Sequence, residues 1–535
     1  METGKCIIFA VKTVKLMLIM KSRLKSFAVS SVGQWLLVVV MAFAAGCQPT
    51  GKRVAPSAPD GGAGEGLAGP ASLSREETAL FSCSDSALVA AYRWARSQAL
   101  AYVHDGGDSV GLWYEAALPR REAFCMRDVS HQVTGAAVLG LNGHNYNMMH
   151  RFAENISESK DWCSYWEINR YNRPAPVDYA NDREFWYNLN ANLDVLQACL
   201  KLYQWTADER YLSEEAFAHF YQATMENYVP HWQLDVEHVM DRPRYMHTPE
   251  PFDAGNGFHV CRGLASYVEN FPGIVVGLDL LATLYAGHDA YAQMLALRGD
   301  ADGAALYHTR AEAYRRLIDD RWWDDGEGRY HTFWTENKEF HRGEGVPFML
   351  WFQAAADVKR VQASVQDILS AEWNVENLSY FPMLLYRLGY DEEAYRYLMA
   401  LPANDRRAYP EASYGWMEGL AGGYMGLTPE AGTRTVRTLM HGPATDTATL
   451  ANVPVWGGTL TVQHEGHTAT TLTNHTGGAL TWQATFYGRH NRLRADGRRI
   501  ASGALTTGTD VKGNDYTTAT LSVPDGATMT VRCAD

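Results

Sequence analysis

Positive charge is in short supply in this chain. Its 535 residues carry 47 Lys and Arg against 61 Asp and Glu, for a net charge of −14 at pH 7. A protein that grips a nucleic-acid backbone needs the opposite balance, so a nucleic-acid partner is excluded. Acidity beyond that speaks to solubility and names no substrate. Cysteine is scarce too, eight in all. Cys83, Cys125, Cys163, Cys199, Cys261 and Cys533 show neither a Cys-x-x-Cys pair nor zinc-ligand spacing, and no disulfide connectivity follows from them. The stretch from His144 to His150 lacks a His-Glu-x-x-His arrangement. No glycine-rich loop is placed to cradle a phosphate, and no Ser or Cys sits on a nucleophile elbow. No metal and no cofactor is therefore expected. A fixed repeat of about 34–47 residues is missing as well, which argues against an open solenoid of helical hairpins.

What is present begins with an address. Lys21, Arg23 and Lys25 precede an apolar run, Trp35 to Phe43, which ends in Ala44-Ala45-Gly46-Cys47. A basic segment, a short apolar core and small residues at the cleavage point make a secretory signal. The run is too short to span a bilayer. Cys47 directly after Ala-Ala-Gly resembles a bacterial lipobox, which implies a lipidated Cys47 and an exported chain anchored to a bacterial membrane, in the periplasm or outer membrane. Residues 48–75 are rich in Gly, Ala and Pro without apolar periodicity and read as a flexible linker.

From residue 76 to 428 the pattern is helical. Leu189, Leu193, Leu196, Leu200 and Tyr203 lie on one face of a helix. The periodicity predicts twelve helices, near 83–104, 128–140, 143–156, 185–206, 208–227, 273–296, 300–321, 347–357, 360–370, 377–388, 391–402 and 412–425. Connections after the even-numbered helices are short; those after the odd-numbered ones are mostly long, including 105–127, 157–184, 228–272 and 322–346. Short links make antiparallel neighbours, and long loops carry function. Strict alternation implies six hairpins closed into a ring, an (α/α)6 toroid. All the long loops then gather where the inner helices present unpaired N–H groups and the positive end of their dipoles. From 429 to 535 the texture turns to Thr, Val and Gly with alternating runs such as Thr459-Leu460-Thr461-Val462, which predicts a small antiparallel β-sandwich.

Three stretches carry a family likeness. They are Arg127-Asp128 in the first long loop, the hairpin from Gly273 through Trp322-Trp323-Asp324-Asp325-Gly326 to Tyr330, and Tyr414-Gly415-Trp416-Met417-Glu418-Gly419-Leu420. With the closing strand Leu521 to Val531, these resemble the six-hairpin glycosidases, which include glucoamylases, trehalases, processing α-glucosidases and α-L-rhamnosidases. The resemblance implies a glycoside hydrolase, inverting and exo-acting on an oligosaccharide or polysaccharide end. It also implies a general acid in the loop before helix six and a base near the start of helix twelve.

Those positions name candidates. Glu411, in Tyr409-Pro410-Glu411, opens the last helix, where the dipole is expected to hold a carboxylate ionised for work as the base; Glu418 is the fallback. The 228–272 loop offers Asp235, Glu237, Asp241, Glu250, Asp253 and Glu269 for the acid. Asp253 is preferred because it stands between Phe252 and a glycine-rich turn, where rings raise a carboxyl pKa. Arg127 and Asp128, with His131 one turn on, are expected to bind the sugar. Trp162, Trp166 and Glu167 in the second long loop form a candidate stacking wall, and Trp416 is added from the last inner helix. Two other readings remain open. One is a polysaccharide lyase on the same scaffold, using Tyr245, His247, Asn256 and His259. The other is a glycan-binding lipoprotein without catalysis.

Overall fold

A computed structural model describes residues 74–118, 120–269 and 271–534. The signal segment, Cys47 and nearly all of the linker lie outside the described residues. Twelve α-helices of six residues or more follow one another: α1 (Ser86–Leu100), α2 (Met126–Val138), α3 (Asn142–Ala153), α4 (Ala191–Thr206), α5 (Glu215–Ala223), α6 (Leu278–Leu297), α7 (Ala301–Arg321), α8 (Val346–Trp351), α9 (Val358–Ser370), α10 (Phe381–Arg387), α11 (Asp391–Ala400) and α12 (Pro410–Glu418). Their starts are written locally. The carboxylates of Asp85, Asp300 and Asp357 accept backbone N–H groups at the mouths of α1, α7 and α9. Pro347, Pro382 and Pro410 occupy first-turn positions of α8, α10 and α12, where a missing N–H costs nothing.

The helices fall into two sets by burial. Sixteen of the twenty residues of α6 are buried, against four of twenty-one in α7, and all nine of α12 are buried. A helix that is apolar all round must be wrapped by others, whereas one with a single apolar stripe faces water. The even-numbered helices accordingly touch in succession: α2 packs on α4, α4 on α6, α6 on α8, α8 on α10, α10 on α12, and α12 returns to α2. The odd-numbered helices lie outside them. Two glycines permit the tightest of these approaches. A Cβ on Gly135 of α2 would stand 2.0 Å from the Tyr414 carbonyl oxygen of α12, and one on Gly415 would stand 2.2 Å from the Ser379 carbonyl oxygen.

The long connections hold more order than their sequence suggests. Ala123–Cys125 pairs with Glu167–Asn169, so the first and second long connections share a ladder that runs straight into α2. Ile274–Gly277 pairs with Phe333–Thr335, tying the third to the fourth and leading directly into α6. The entry directions of α2 and α6, and hence their first-turn side chains, are set by these strands.

Strands dominate after residue 427. One sheet is five-stranded and one seven-stranded. The expectation of a wholly antiparallel sandwich is corrected at one ladder, where Thr435–Leu439 runs parallel to Leu480–Tyr487. The chain between them crosses to the other sheet to form three strands, and so returns in the same direction. The expected first helix is shortened as well. Leu80–Cys83 is a strand, β1, paired with Thr447–Val455 at the edge of the seven-stranded sheet. The described residues form one compact unit in which the β region is hydrogen-bonded to the helical part: Trp456 Nε1 donates to the Gln204 carbonyl at 2.9 Å and Asn514 Nδ2 to the Gly389 carbonyl at 3.0 Å. No disulfide joins any of the six cysteines among the described residues.

Candidate active site

The first turns of the inner helices and the connections leading to them enclose a cavity of about 240 Å³. α2 contributes Arg127 and His131, α8 contributes Phe348 and α12 contributes Glu411. Four carboxyl groups face it: Glu269, Glu344 and Glu376 from three successive connections, and Glu411 from the first turn of α12. Tyr267, Tyr380, Asn374 and Asn377 complete the polar wall.

Arg127 is the anchor. Its Nε lies 3.3 Å from Asp128 Oδ1, and its guanidinium sits over the rings of Tyr267 at 5.6 Å and Trp166 at 5.9 Å. Asp128 is buried, accepts Tyr409 O–H at 3.2 Å and is pushed upward in pKa by that burial. His131 is enclosed by the rings of Tyr267, Phe348 and Tyr380, with centroids 5.8–6.0 Å away. Its Nδ1 is 4.0 Å from Glu411 Oε1 and its Nε2 3.7 Å from Asp194 Oδ1. Tyr267 O–H donates to Asp194 at 2.6 Å. Its backbone N–H and the Ser266 hydroxyl both reach the Asp279 carboxylate in the first turn of α6. Asp279 is thus the clamp that orients the turn carrying Glu269. Its pKa is raised to about 7 by burial.

Glu411 corrects one expectation. It lies in the first turn of α12, as placed, but only 4% of it is exposed. Burial first, and then the neighbouring Asp128 charge, push its pKa well above the usual glutamate range. A helix dipole supplies about 0.3–1 kcal/mol at an exposed site and up to about 2 kcal/mol in a partly buried one. Full desolvation shifts a carboxyl by up to about 3–5 pKa units, at about 1.4 kcal/mol each, and wins.

Asp253 is not brought to the cavity. It is exposed, and its carboxylate accepts Gly255 N–H at 2.8 Å, an Asx turn before glycine. Glu269, from the same loop, lines the cavity instead. Trp416 is fully buried, with Nε1 donating to the Leu398 carbonyl at 3.1 Å, and is core. Glu167 is buried beside Arg121 at 2.9 Å and does not line the cavity; burial and Asp178 raise its pKa strongly. Neither Trp162 nor Trp166 lines the cavity, and Trp166 meets Arg127 across its ring. Glu418 is buried outside the lining, raised by desolvation against the pull of Lys201. Sequence reasoning missed Tyr267, Glu344, Glu376, Asn377 and Tyr380. The usable signal was positional: Glu344 stands two residues before α8, Glu411 is the second residue of α12, and Glu376 lies in the short helical turn Val375–Leu378 that precedes α10.

No family model matches the sequence, and no curated protein matches it. Among solved structures the chain is similar to an α-L-rhamnosidase from Dictyoglumus thermophilum, with a TM-score of 0.55 and 10% identity over 86% of this chain and 50% of that one. It is also similar to a GH78 family rhamnosidase of Bacillus sp. GL1, with a TM-score of 0.52 and 12% identity over 75% of this chain and 41% of that one. The chain therefore spans half the length of these relatives or less. At such identities the likeness is one of fold alone.

Proposed function

We propose that this chain is a glycoside hydrolase built on an (α/α)6 toroid, inverting and acting on the end of a neutral oligosaccharide. The observation that carries the reading is the set of carboxyl groups converging on one small cavity at the amino-terminal ends of the inner helices. Glycoside hydrolysis canonically needs an acid and a base on opposite sides of the scissile bond. Glu411 is the base. Its raised pKa suits that role, since a base poised nearer neutral pH accepts a proton more readily once ionised. Glu269 is the acid that protonates the leaving oxygen, replacing Asp253. Arg127 and His131 hold the terminal sugar against Tyr267 and Tyr380, and Asp128, outside the cavity lining, orients Arg127.

The cavity is below the roughly 300–1,000 Å³ that encloses a drug-sized ligand, which suits one sugar residue and exo action. Four glutamates against Arg127 and His131 repel an anionic sugar and favour a neutral one. That balance also disfavours a lyase, whose uronate substrate carries a carboxylate. Tyr245, His247, Asn256 and His259 lie outside the cavity lining, and burial pushes Tyr380 and Tyr267 well above the usual tyrosine pKa, away from use as bases. The names of the two solved relatives make α-L-rhamnosides the first substrates to try. The division into residues 76–428 for catalysis and 429–535 as a packing module, and a lipid anchor at Cys47, belong to the same proposal; Cys47→Ala is expected to abolish fatty-acid labelling.

The test is release of reducing sugar from a panel of neutral oligosaccharides, with ultraviolet absorbance followed in parallel. Reducing ends without absorbance gain are expected, with kcat falling about 10²-fold or more in both Glu411→Gln and Glu269→Gln. The anomer formed first, read by NMR, reports inversion. Absorbance gain from an unsaturated sugar makes the protein a lyase and ends the role of Glu411.

A further inference from the structure

A second cavity, of about 720 Å³, opens between the helical part and the β region. It has three times the volume of the catalytic cavity and falls in the range that encloses a small-molecule ligand. Tyr380 lines the catalytic cavity just before α10, and Gly389 lines this one just after it. The two therefore lie at opposite ends of that seven-residue helix, about 10 Å apart. The walls come from segments remote in the chain. Asp391, Glu392 and Tyr395 stand on α11, His441 and Ala444 follow the strand Thr435–Leu439, and Tyr487 ends the strand Leu480–Tyr487.

The polar atoms of these walls are mostly acceptors. His441 Nδ1 lies 2.8 Å from Asp391 Oδ1 and 2.9 Å from the Tyr487 hydroxyl. A carboxylate only accepts, so Nδ1 carries the hydrogen and Nε2 of the neutral ring keeps its lone pair. His467, also in the lining, has Nε2 2.7 Å from the Gly442 carbonyl, which leaves its Nδ1 as the acceptor for the same reason. Glu392 adds an exposed carboxylate. Lys512, the one Lys or Arg of the lining, already lies 3.3 Å from Glu393 and 5.0 Å from the centre of the Tyr390 ring. Phenol rings stand beside these groups. The Tyr395 hydroxyl donates to Asp85 at the mouth of α1, which fixes its ring. Burial, and then the Asp391 charge, push the Tyr487 pKa well above the usual tyrosine range, so its hydroxyl stays protonated.

We propose that this cavity is a second binding site, for a neutral oligosaccharide, which gives the β region a part in holding glycan beyond its packing role. Carboxylate and imidazole acceptors take the hydrogens of sugar hydroxyls, and phenol rings cover the apolar C–H faces. An anion would meet Asp391 and Glu392 with Lys512 already engaged. A catalytic cavity of about 240 Å³ for one sugar residue sets the scale, so about three residues fit here. The inference rests on the hydrolase reading for that scale alone.

The experiment titrates maltotriose, cellotriose and a linear rhamnose trisaccharide into the full chain by calorimetry, with trigalacturonate and spermidine as charged controls. Glu411→Gln is present throughout, so that no sugar is consumed. The titrations are repeated with Ala444→Trp, which fills the cavity from an exposed position, and with Glu392→Gln, which removes a carboxylate at constant shape. A neutral trisaccharide is expected to bind, with affinity falling about tenfold or more in Ala444→Trp and about fivefold in Glu392→Gln. Binding that every chain keeps belongs to the catalytic cavity. With Glu411 restored, Ala444→Trp should keep the wild-type kcat on the shortest cleaved substrate. Tm shows whether Ala444→Trp is folded, and Glu392→Gln carries the test if it is not. Trisaccharides bound alike by all chains, or by none, overturn the second site. Spermidine bound instead of sugar, and lost in Ala444→Trp, overturns its ligand class. Sugar binding lost in Ala444→Trp with no substrate cleaved by the wild type keeps this site and ends the hydrolase reading; cleavage with unaltered binding does the reverse.

Discussion

Glu411 carries the balance of the site, because opposing charges act on it inside a desolvated first turn. Burial and Asp128 raise its pKa, while Arg127 lowers it. As a base it must be ionised, so activity rises with pH through its pKa in the protein, and the acidic limb of kcat/KM should lie above the free-glutamate value of about 4.3. Replacing Asp128 by Asn removes a like charge. That limb should then move to lower pH even as sugar binding weakens and KM climbs. An unmoved limb would mean that some other group governs it. This pKa was not legible in the sequence. Pro410-Glu411 at a helix start announces a dipole and a cap, but its burial also depends on side chains remote in the chain, among them Asp128 and Tyr380. The same holds for Asp253 and Glu269. Both sit in one loop with aromatic neighbours, and only the pairing of Ile274–Gly277 with Phe333–Thr335 and the Asp279 clamp turn the second of them toward the cavity.

At the level of the helices the pattern was largely readable. Periodicity places twelve helices, and each overlaps one in the structure, since an amphipathic or wholly apolar stripe is a local property. The loops were read less well: Val103–Asp108 with Gly111–Tyr114 and the ladders above α2 and α6 form strands of three to six residues whose partners are distant or whose patterns are too short to score. Close helix approach is the other feature invisible to periodicity. Gly135→Ala places a methyl where the Tyr414 carbonyl stands, so α2 and α12 must part. The expected cost is about 1–3 kcal/mol or more from overpacking. Arg127 and Glu411 share those two helices, so kcat should fall along with the denaturation midpoint. An alanine variant with wild-type stability and activity would contradict the packing described.

Across the whole molecule, the chain closes on itself at β1. Leu80–Cys83 completes the edge of a sheet otherwise built from residues after 446, and Phe81 packs against Tyr92 and Tyr424 with ring centroids at 5.6 and 6.4 Å. Phe81→Ala is expected to cost about 3–5 kcal/mol. Calorimetry should still show the helical and β parts melting together, because β1, Trp456 and Asn514 bind one to the other. A separate β transition would show that residues 429–535 fold alone. The sequence by itself determined what depends on near neighbours: helix number, the alternation of short and long connections, the change to strands after residue 427, and the places of Arg127, His131 and Glu411 near the starts of helices. The tertiary structure alone decided which carboxyl groups share the cavity, which of them are driven toward protonation, that Trp416 is core, and that α11 meets the β region around a second cavity. Those outcomes depend on desolvation and on distances between groups tens to hundreds of residues apart, and no local pattern in the chain encodes either.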